Sequence, residues 1–281
     1  MLGAIIVVFR EIIEAGLIVG IVLAVTRGIP SRGLWVAGGI AAGVLGSAIL
    51  ALFAGALADA FDGSGEELFN AWVLSTAVLM LAWHTIWMAR HGRQMANDMR
   101  HAGEEVAAGS KSLFALAVVV GIAVLREGAE VVLFLYGILV SSAGTSLAGL
   151  LGGFAIGVLL GAGLSTLTYL GLVRIPARRI FAITSAMITL LAAGMAAQAA
   201  GFFERAGLLS LWDETAWDSS ALLSEGSIPG RVLHSLIGYT EQPSYMQLVV
   251  YLVTLVAIVI LARTVAPQRP AATLTLSAPG Q

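Results

Sequence analysis

The chain has 281 residues, of which 58% are hydrophobic and only 11% are charged, and its formal net charge is −2. Soluble domains carry about 25% charged residues, so this composition indicates a membrane protein. The small net charge and the lack of a basic segment exclude a nucleic-acid-binding protein. The chain has no cysteine, which excludes disulfides, thiolate metal sites and redox dithiols, and restricts metal ligands to oxygen, imidazole or thioether groups.

Apolar blocks of about 20 residues, the length that crosses a hydrocarbon core of about 30 Å, recur along the chain. They predict seven transmembrane helices, at 2–26, 34–58, 68–89, 112–140, 147–172, 179–203 and 246–263. The first block has no basic segment before it and no small-residue cleavage site after it, so we expect a retained helix rather than a signal peptide. The predicted fold class is all-α, a polytopic protein of the plasma membrane.

The basic residues between these helices predict the orientation of the chain. Of the 13 basic residues outside the helix centres, 11 fall in alternate loops that share one side of the membrane. They are Arg27, Arg32, Arg90, Arg93, Arg100, Lys111, Arg174, Arg178, Arg179, Arg263 and Arg269. Because positive loops remain in the cytoplasm, the N-terminus is predicted to lie outside and the C-terminus inside.

Two of the apolar blocks carry the same charged motif, R-E-x-x-E, at Arg10–Glu14 and at Arg126–Glu130, 116 residues apart. An ionisable side chain at the centre of a bilayer costs about 2.5–3.5 kcal/mol on translocon scales, so such residues are rare unless they have a function. On a helix, residues three and four apart share a face. Glu11 and Glu14 therefore point the same way, as do Glu127 and Glu130, and each arginine can reach the glutamate four residues on.

The motif helices run in opposite directions in the predicted topology. This suggests two halves of three helices each, inverted relative to one another, followed by one further helix. The halves would cover 1–90 and 112–203, with a cytoplasmic loop at 91–111 and a last helix at 246–264. The composition of the loop suits a surface helix that continues from the third helix. The second helix of each half carries small residues four apart, which allow close helix packing. These are Gly39, Gly43, Ser47, Ala51 and Gly55 in one half, and Gly149, Gly153, Gly157, Gly161 and Ser165 in the other. Inverted repeats typically place a substrate site at the midplane.

Together the two motifs would contribute four carboxylates and two guanidiniums, which leaves a formal charge of −2. In a low-dielectric site that charge requires a cation or protonation. Carboxylate oxygens are hard ligands that suit Fe, Mn, Mg and Ca. The alternative is structural: an Arg–Glu lattice that fixes helix register, with Glu11 and Glu127 protonated.

With these two motifs, seven helices and an external N-terminus, the chain resembles the iron permease family. That family includes fungal high-affinity iron permeases and the bacterial permease of the oxygen-dependent elemental iron uptake system. Further segments resemble the bacterial branch: Leu211-Trp212-Asp213, Leu222-Leu223-Ser224-Glu225, Gly238-Tyr239-Thr240 and Pro243-Ser244. The resemblance implies metal ligands at Glu11, Glu14, Glu127 and Glu130, supported by Arg10 and Arg126. The pair Ile12-Ile13 departs from the family, where a pair containing glycine is common, whereas Gly128 keeps the small residue.

Other residues are candidates for secondary ligands or for ligands on the way to the site. His84, in the third helix, is a candidate ligand or a buried structural histidine. On the outside, the candidates are Glu204, Asp213, Glu214 and Asp218. The external segment 204–245 is interpreted either as a partly embedded interfacial helix or as a cap that collects iron or docks an iron-delivery or oxidase protein. Residues 265–281, rich in Pro, Ala and Thr, are predicted to be a disordered cytoplasmic tail.

The resemblance implies an iron permease that imports iron and is not an enzyme. The bacterial branch favours Fe²⁺, and the fungal relatives, which act with an oxidase, favour Fe³⁺. One alternative is a transporter of lead, manganese or protons. Another is an intramembrane di-iron redox enzyme, although such sites normally use Glu-x-x-His pairs, which neither motif has. Iron is expected as the transported substrate, without an organic cofactor.

Overall fold

The structure is a computed structural model, and it describes residues 1–60, 66–141, 146–172 and 177–265. Within these residues the chain is helical, apart from turns, loops and one isolated antiparallel bridge between Thr215 and Ser244. The helices are α1 (Leu2–Val25), α2 (Arg32–Ala60), α3 (Glu66–Ala107), α4 (Leu113–Ser141), α5 (Leu147–Tyr169), α6 (Ala177–Arg205), α7 (Ile228–Ile237) and α8 (Tyr245–Val265). The predicted disordered tail lies outside the described residues, except for Val265.

Each predicted helix is present. Residues 91–107 of the predicted cytoplasmic loop continue α3, as their composition predicts. This segment has no proline to interrupt the helix, and Val106 packs in one buried cluster with Val22 of α1 and Leu116 of α4. Helix α7 lies within segment 204–245, which is interpreted from the sequence either as a partly embedded helix or as a cap.

The bundle has the surface expected of a membrane protein. Among the described residues, five helical segments are long and apolar enough to cross a membrane: Arg32–Ala56, Glu67–Met88, Leu147–Tyr169, Ala182–Arg205 and Tyr245–Thr264. Helices α1 and α4 have 24 and 29 residues, but each carries the three ionisable residues of a motif. Large apolar side chains such as Leu52, Leu159 and Leu252 are exposed. A surface this apolar suits a lipid environment rather than water.

The small-residue ladders bring α2 against α4 and α5 against α1, so that each ladder packs on the motif helix of the other predicted half. A Cβ placed on Gly43 of α2 would lie 2.7 Å from Val124 Cβ in α4, and one on Gly157 of α5 would lie 2.8 Å from Val8 Cβ in α1. Gly55, the last member of the α2 ladder, does not take part, because a Cβ on it would meet nothing within 4 Å. Glycine is needed at the central positions because there is no room for a side chain.

These two contacts use corresponding positions of the motif helices, since Val8 and Val124 are 116 residues apart, like the motifs themselves. The next contact along each pair also corresponds. A Cβ on Gly161 would lie 2.8 Å from Ile12 Cβ, and a Cβ on Gly128 would overlap Ser47 Oγ. In the pair α1 and α5, the larger residue, Ile12, is on the motif helix and the glycine is on the other helix. In the pair α4 and α2, the glycine, Gly128, is on the motif helix and the larger residue, Ser47, is on the other helix. The bulky Ile12 therefore fits against a glycine of α5 at the interface between these two helices.

The remaining helices enclose the motif helices. Helix α3 packs along α6, and the largest buried apolar cluster joins α1, α3, α4 and α6, with Phe134 and Met195 among its largest fully buried members. Helix α7 ends at Gly238, whose φ of +71° favours glycine. A Cβ on Gly194 of α6 would lie 2.5 Å from Gly238 Cα. Since Gly194 is about three turns before the end of α6, the segment after α6 folds back along that helix.

Candidate metal centre

The two motifs meet at the contact between α1 and α4. Each lies near the middle of its helix, and all four glutamates are buried. Potential ligand atoms form two groups in the described part of the chain, and within each group they lie within 4.8 Å of one another. One group is Glu11, Glu14 and His84, and the other is Glu11, Glu127 and Glu130. Glu11 belongs to both groups and thereby links the two motifs.

Among these carboxylates, the charge of Glu11 is the least balanced by hydrogen bonds and nearby positive groups. Its side chain is 0% exposed, and neither of its oxygens accepts a hydrogen bond from a donor in the described residues. The closest guanidinium nitrogen, Arg10 Nη1, is 3.7 Å from Glu11 Oε1. A buried carboxylate without hydrogen bonds is unfavourable unless a cation or a proton accompanies it. Glu11 is therefore well suited to bind a cation.

The two arginines form different ion pairs. Arg10 is 2% exposed, and its Nε lies 2.8 Å from Glu14 Oε1, as the spacing of four residues predicts. Arg126 has a side chain that is 33% exposed. It pairs with the adjacent Glu127, to which its Nε donates over 3.1 Å, and lies 3.8 Å from Glu130 Oε1. Its guanidinium carbon is 5.4 Å from the ring centroid of Trp87.

His84 is brought from α3 into the same centre. The buried face of α3 contains Leu74, Leu81 and His84 at the spacing expected for one helix face. The ring contacts a glutamate of each motif: Nδ1 lies against Glu130 Oε2, and Nε2 is 3.4 Å from Glu14 Oε2. The sequence suggested a role for His84 but could not distinguish a ligand from a structural histidine.

Trp87 was not among the predicted site residues. It lies three residues after His84, so the two side chains share a face of α3. Its ring lies against Arg126 on one side and stacks on His91 at a centroid distance of 5.1 Å. The spacing from His84 was the available signal, but it does not identify the arginine as the partner.

The outer candidates do not join either ligand group in the described residues. Glu204 accepts a hydrogen bond from Ser244 Oγ at 2.7 Å, which connects the end of α6 to the start of α8. Asp213, Glu214 and Asp218 are exposed. Hydrogen bonds from Ser220 and Gln242 hold the pKa of Asp218 below its ordinary value, so this carboxylate stays charged in mildly acidic solution. A role for these residues in attracting iron at the outer surface remains a prediction.

The centre combines four carboxylates, two guanidiniums and one imidazole in a buried space. The carboxylates exceed the guanidiniums by two, so the arrangement can hold a divalent cation without further charged groups. Oxygen donors with one nearby imidazole are compatible with iron. Transport is also consistent with the position of the centre, since both motif helices place it halfway along their length.

Comparison with known proteins agrees with this chemistry. Residues 1–266 match the iron permease FTR1 family. A protein named ferrous iron permease EfeU from Escherichia coli O6:H1 (strain CFT073) is 34% identical over 278 residues, which cover 96% of this chain and 98% of that protein. The Yersinia pestis protein of the same name is 31% identical over 264 residues, covering 91% of this chain and 90% of its own.

A third relative, from Escherichia coli K12, is named a putative inactive ferrous iron permease EfeU and is 33% identical over 283 residues, covering 97% and 98% of the two chains. No solved structure gives a significant match. The match over nearly the whole chain, together with these relatives, shows that the protein belongs to the iron permease FTR1 family, a family of multi-pass membrane proteins of iron transport.

Proposed function

We propose that this protein imports iron as Fe²⁺ across the plasma membrane, through a site formed by Glu11, Glu14, Glu127 and Glu130. The observation that carries the proposal is the convergence of these buried glutamates from two helices, with Glu11 in both groups of potential ligands. The names of the bacterial relatives support Fe²⁺ as the transported form. Arg10 and Arg126 orient the carboxylates and limit the net charge of the site.

The proposed topology has seven spanning helices, namely α1 to α6 and α8, with the N-terminus outside. The excess of basic residues in one set of loops supports this orientation. The corresponding contacts of α2 with α4 and of α5 with α1 support an inverted repeat. Helix α7 lies in the outer segment, which we propose as the surface that receives iron or a delivery protein.

Alternating access is expected to follow the packing of the bundle. The glycine contacts hold α1 with α5 and α2 with α4, so we expect each of these pairs to move as one body. Movement of one pair relative to the other would open the space between Glu11 and Glu127 to one side of the membrane and close it to the other. Inverted repeats generally permit such a motion.

Uptake by the purified protein in reconstituted vesicles tests the proposal. We expect alanine at any of the four glutamates to abolish Fe²⁺ uptake, while the variants still reach the membrane. Glu104→Ala is a matched control because that carboxylate is exposed and pairs with Arg100, away from the centre. Normal uptake by the four variants would contradict the proposed site.

Competition in the same vesicles separates the possible substrates. If Fe²⁺ is transported, we expect it to be taken up under reducing conditions and to be displaced poorly by Mn²⁺ or Pb²⁺. Uptake that requires Fe³⁺, or that is faster for Mn²⁺ or Pb²⁺, would show that Fe²⁺ is not the preferred substrate. A pH-dependent proton current without metal uptake would instead favour the proton transporter.

A further inference from the structure

We propose that His84 is an iron ligand and that its imidazole makes the site select Fe²⁺ over Mg²⁺ and Ca²⁺. This inference rests on the proposed function, to which it adds a fifth ligand and a basis for selectivity. His84 belongs to neither motif, and it reaches the centre from α3, between α1 and α4.

The two nitrogens of His84 have different surroundings. Nδ1 lies against Glu130 Oε2 of α4. Nε2 is buried and lies 3.4 Å from Glu14 Oε2, in the group that also contains Glu11. In the described part of the chain, Nε2 and these two carboxylate oxygens are buried without a hydrogen-bond partner.

This arrangement is the usual one for a histidine that binds a metal. A ligating imidazole typically binds through one nitrogen and donates the other N–H to a carboxylate, which fixes the ring orientation. Glu130 occupies the position of that carboxylate. A nitrogen lone pair and carboxylate oxygens that face one another in a buried space are stabilised by a cation between them. The ring is only 6% exposed, so water cannot replace the cation freely.

A nitrogen ligand changes which cations the site prefers. Four carboxylates alone would suit Mg²⁺ and Ca²⁺, which bind through oxygen ligands, as well as iron. Imidazole suits iron and other transition metals better than it suits Mg²⁺ or Ca²⁺. Adding His84 to the glutamates therefore raises the affinity for Fe²⁺ without a similar gain for the two hard cations.

X-ray absorption at the iron edge tests this inference on the full-length protein loaded with Fe²⁺ without oxygen. We expect scattering from an imidazole in the wild-type protein and in His91→Gln, and none in His84→Gln. His91 is a matched control on the same helix because it stacks on Trp87 and belongs to neither ligand group. The chain has four histidines, so a variant in which the other three are glutamine must keep the signal.

Uptake in vesicles gives the second measurement. In excess Mg²⁺ and Ca²⁺, we expect His84→Gln to lose Fe²⁺ uptake by about 10-fold or more relative to uptake without competitors, as typical losses at metal sites suggest. Wild-type and His91→Gln proteins should keep their uptake.

The outcomes separate this inference from the proposed function. Iron bound by the wild-type protein through oxygen ligands alone would overturn the role of His84 and leave the glutamate site intact. This result does not depend on whether His84→Gln folds. A wild-type protein that binds no Fe²⁺, combined with normal uptake by the glutamate variants, would overturn the proposed function itself.

Discussion

The motif on α1 and the motif on α4 have the same spelling and different surroundings. Arg10 is 2% exposed and lies 2.8 Å from Glu14, so the first motif is an enclosed ion pair. Arg126 is 33% exposed, pairs with the adjacent Glu127 and lies against Trp87. The asymmetry comes from the third helix of the first half, because α3 places both His84 and Trp87 beside the centre.

This difference shows how a repeated sequence can produce unequal roles. The backbone contacts of the two motif helices correspond, as Gly43 with Val124 and Gly157 with Val8 show. The side chains that complete the centre do not correspond. Helix α6 is the predicted counterpart of α3, and its buried face consists largely of small apolar residues such as Ala192, Ala196 and Ala199. We expect the first motif to anchor the site and the second to adjust more freely when the cation binds or leaves.

The largest effect is expected at Glu11, the carboxylate that belongs to both ligand groups. Glu11→Gln keeps the shape of the side chain but removes its charge, and we expect Fe²⁺ uptake to fall by more than the roughly 10–100-fold that changes around metal ligands cause. Glu130→Gln should reduce uptake less, because Glu130 belongs to one group only. The measurement is the initial uptake rate in vesicles, normalised to the amount of protein. A greater loss in Glu130→Gln than in Glu11→Gln would contradict the central position of Glu11.

The next largest effect is expected on the free energy of unfolding, and it should differ between variants of the two arginines. Arg10→Gln leaves buried carboxylates without their partner, and breaking such a pair costs about 3–5 kcal/mol. Arg126→Gln should cost about 1 kcal/mol, because a partly exposed pair is screened by solvent. Denaturant unfolding in detergent micelles would compare the two free energies of unfolding. Equal losses would mean that the difference in exposure between the motifs has no energetic consequence.

A smaller effect on stability is expected where Gly128 of α4 packs against Ser47 of α2. Gly128→Ile adds a side chain whose Cβ would overlap Ser47 Oγ, and overpacking of this kind typically costs about 1–3 kcal/mol. The double variant Gly128→Ile with Ser47→Gly copies the Ile12 and Gly161 pair of the other half, so we expect it to recover most of the loss. The free energies of unfolding of both single variants and the double variant give the coupling between the two positions.

Gly163→Ile is the control for this pair, since a Cβ on Gly163 would meet nothing within 4 Å. This variant should unfold at nearly the same denaturant concentration as the wild-type protein. If the double variant is no more stable than Gly128→Ile, the two halves do not pack equivalently at this position.

The smallest effect is expected at Trp87. Trp87→Leu removes the ring beside Arg126, and we expect a loss of about 0.5–2 kcal/mol, the range for a cation next to an aromatic face. Trp83→Leu is a matched control on the same helix because Trp83 is 72% exposed. Thermal unfolding should occur at a lower midpoint in Trp87→Leu than in Trp83→Leu if the ring stabilises Arg126, and His91→Gln measures the share that comes from the stacking of Trp87 on His91. Identical midpoints would show that the second motif does not depend on α3 for its arginine.

Much of the architecture could be predicted from the sequence because each signal is local. A span of apolar residues fixes a helix, and a spacing of three or four residues fixes the shared face of Glu11 and Glu14. The last residue of α3 could not be predicted in the same way, because residues 91–107 are polar and their helical continuation is stabilised by packing of Val106 against α1 and α4. The bounds of α7 within its segment could not be predicted either, because its C-terminal end depends on the close approach of Gly238 to Gly194.

The sequence by itself determined that the chain is a helical membrane protein with two duplicated, buried charged motifs, because composition and periodicity act over one or two turns. The tertiary structure decided which helices meet: α5 on α1, α2 on α4, and α3 at the centre. It also decided that Glu11 belongs to both ligand groups and that His84 reaches a glutamate of each motif. These are contacts between residues far apart in the chain, and they depend on how close the small residues allow the helices to approach.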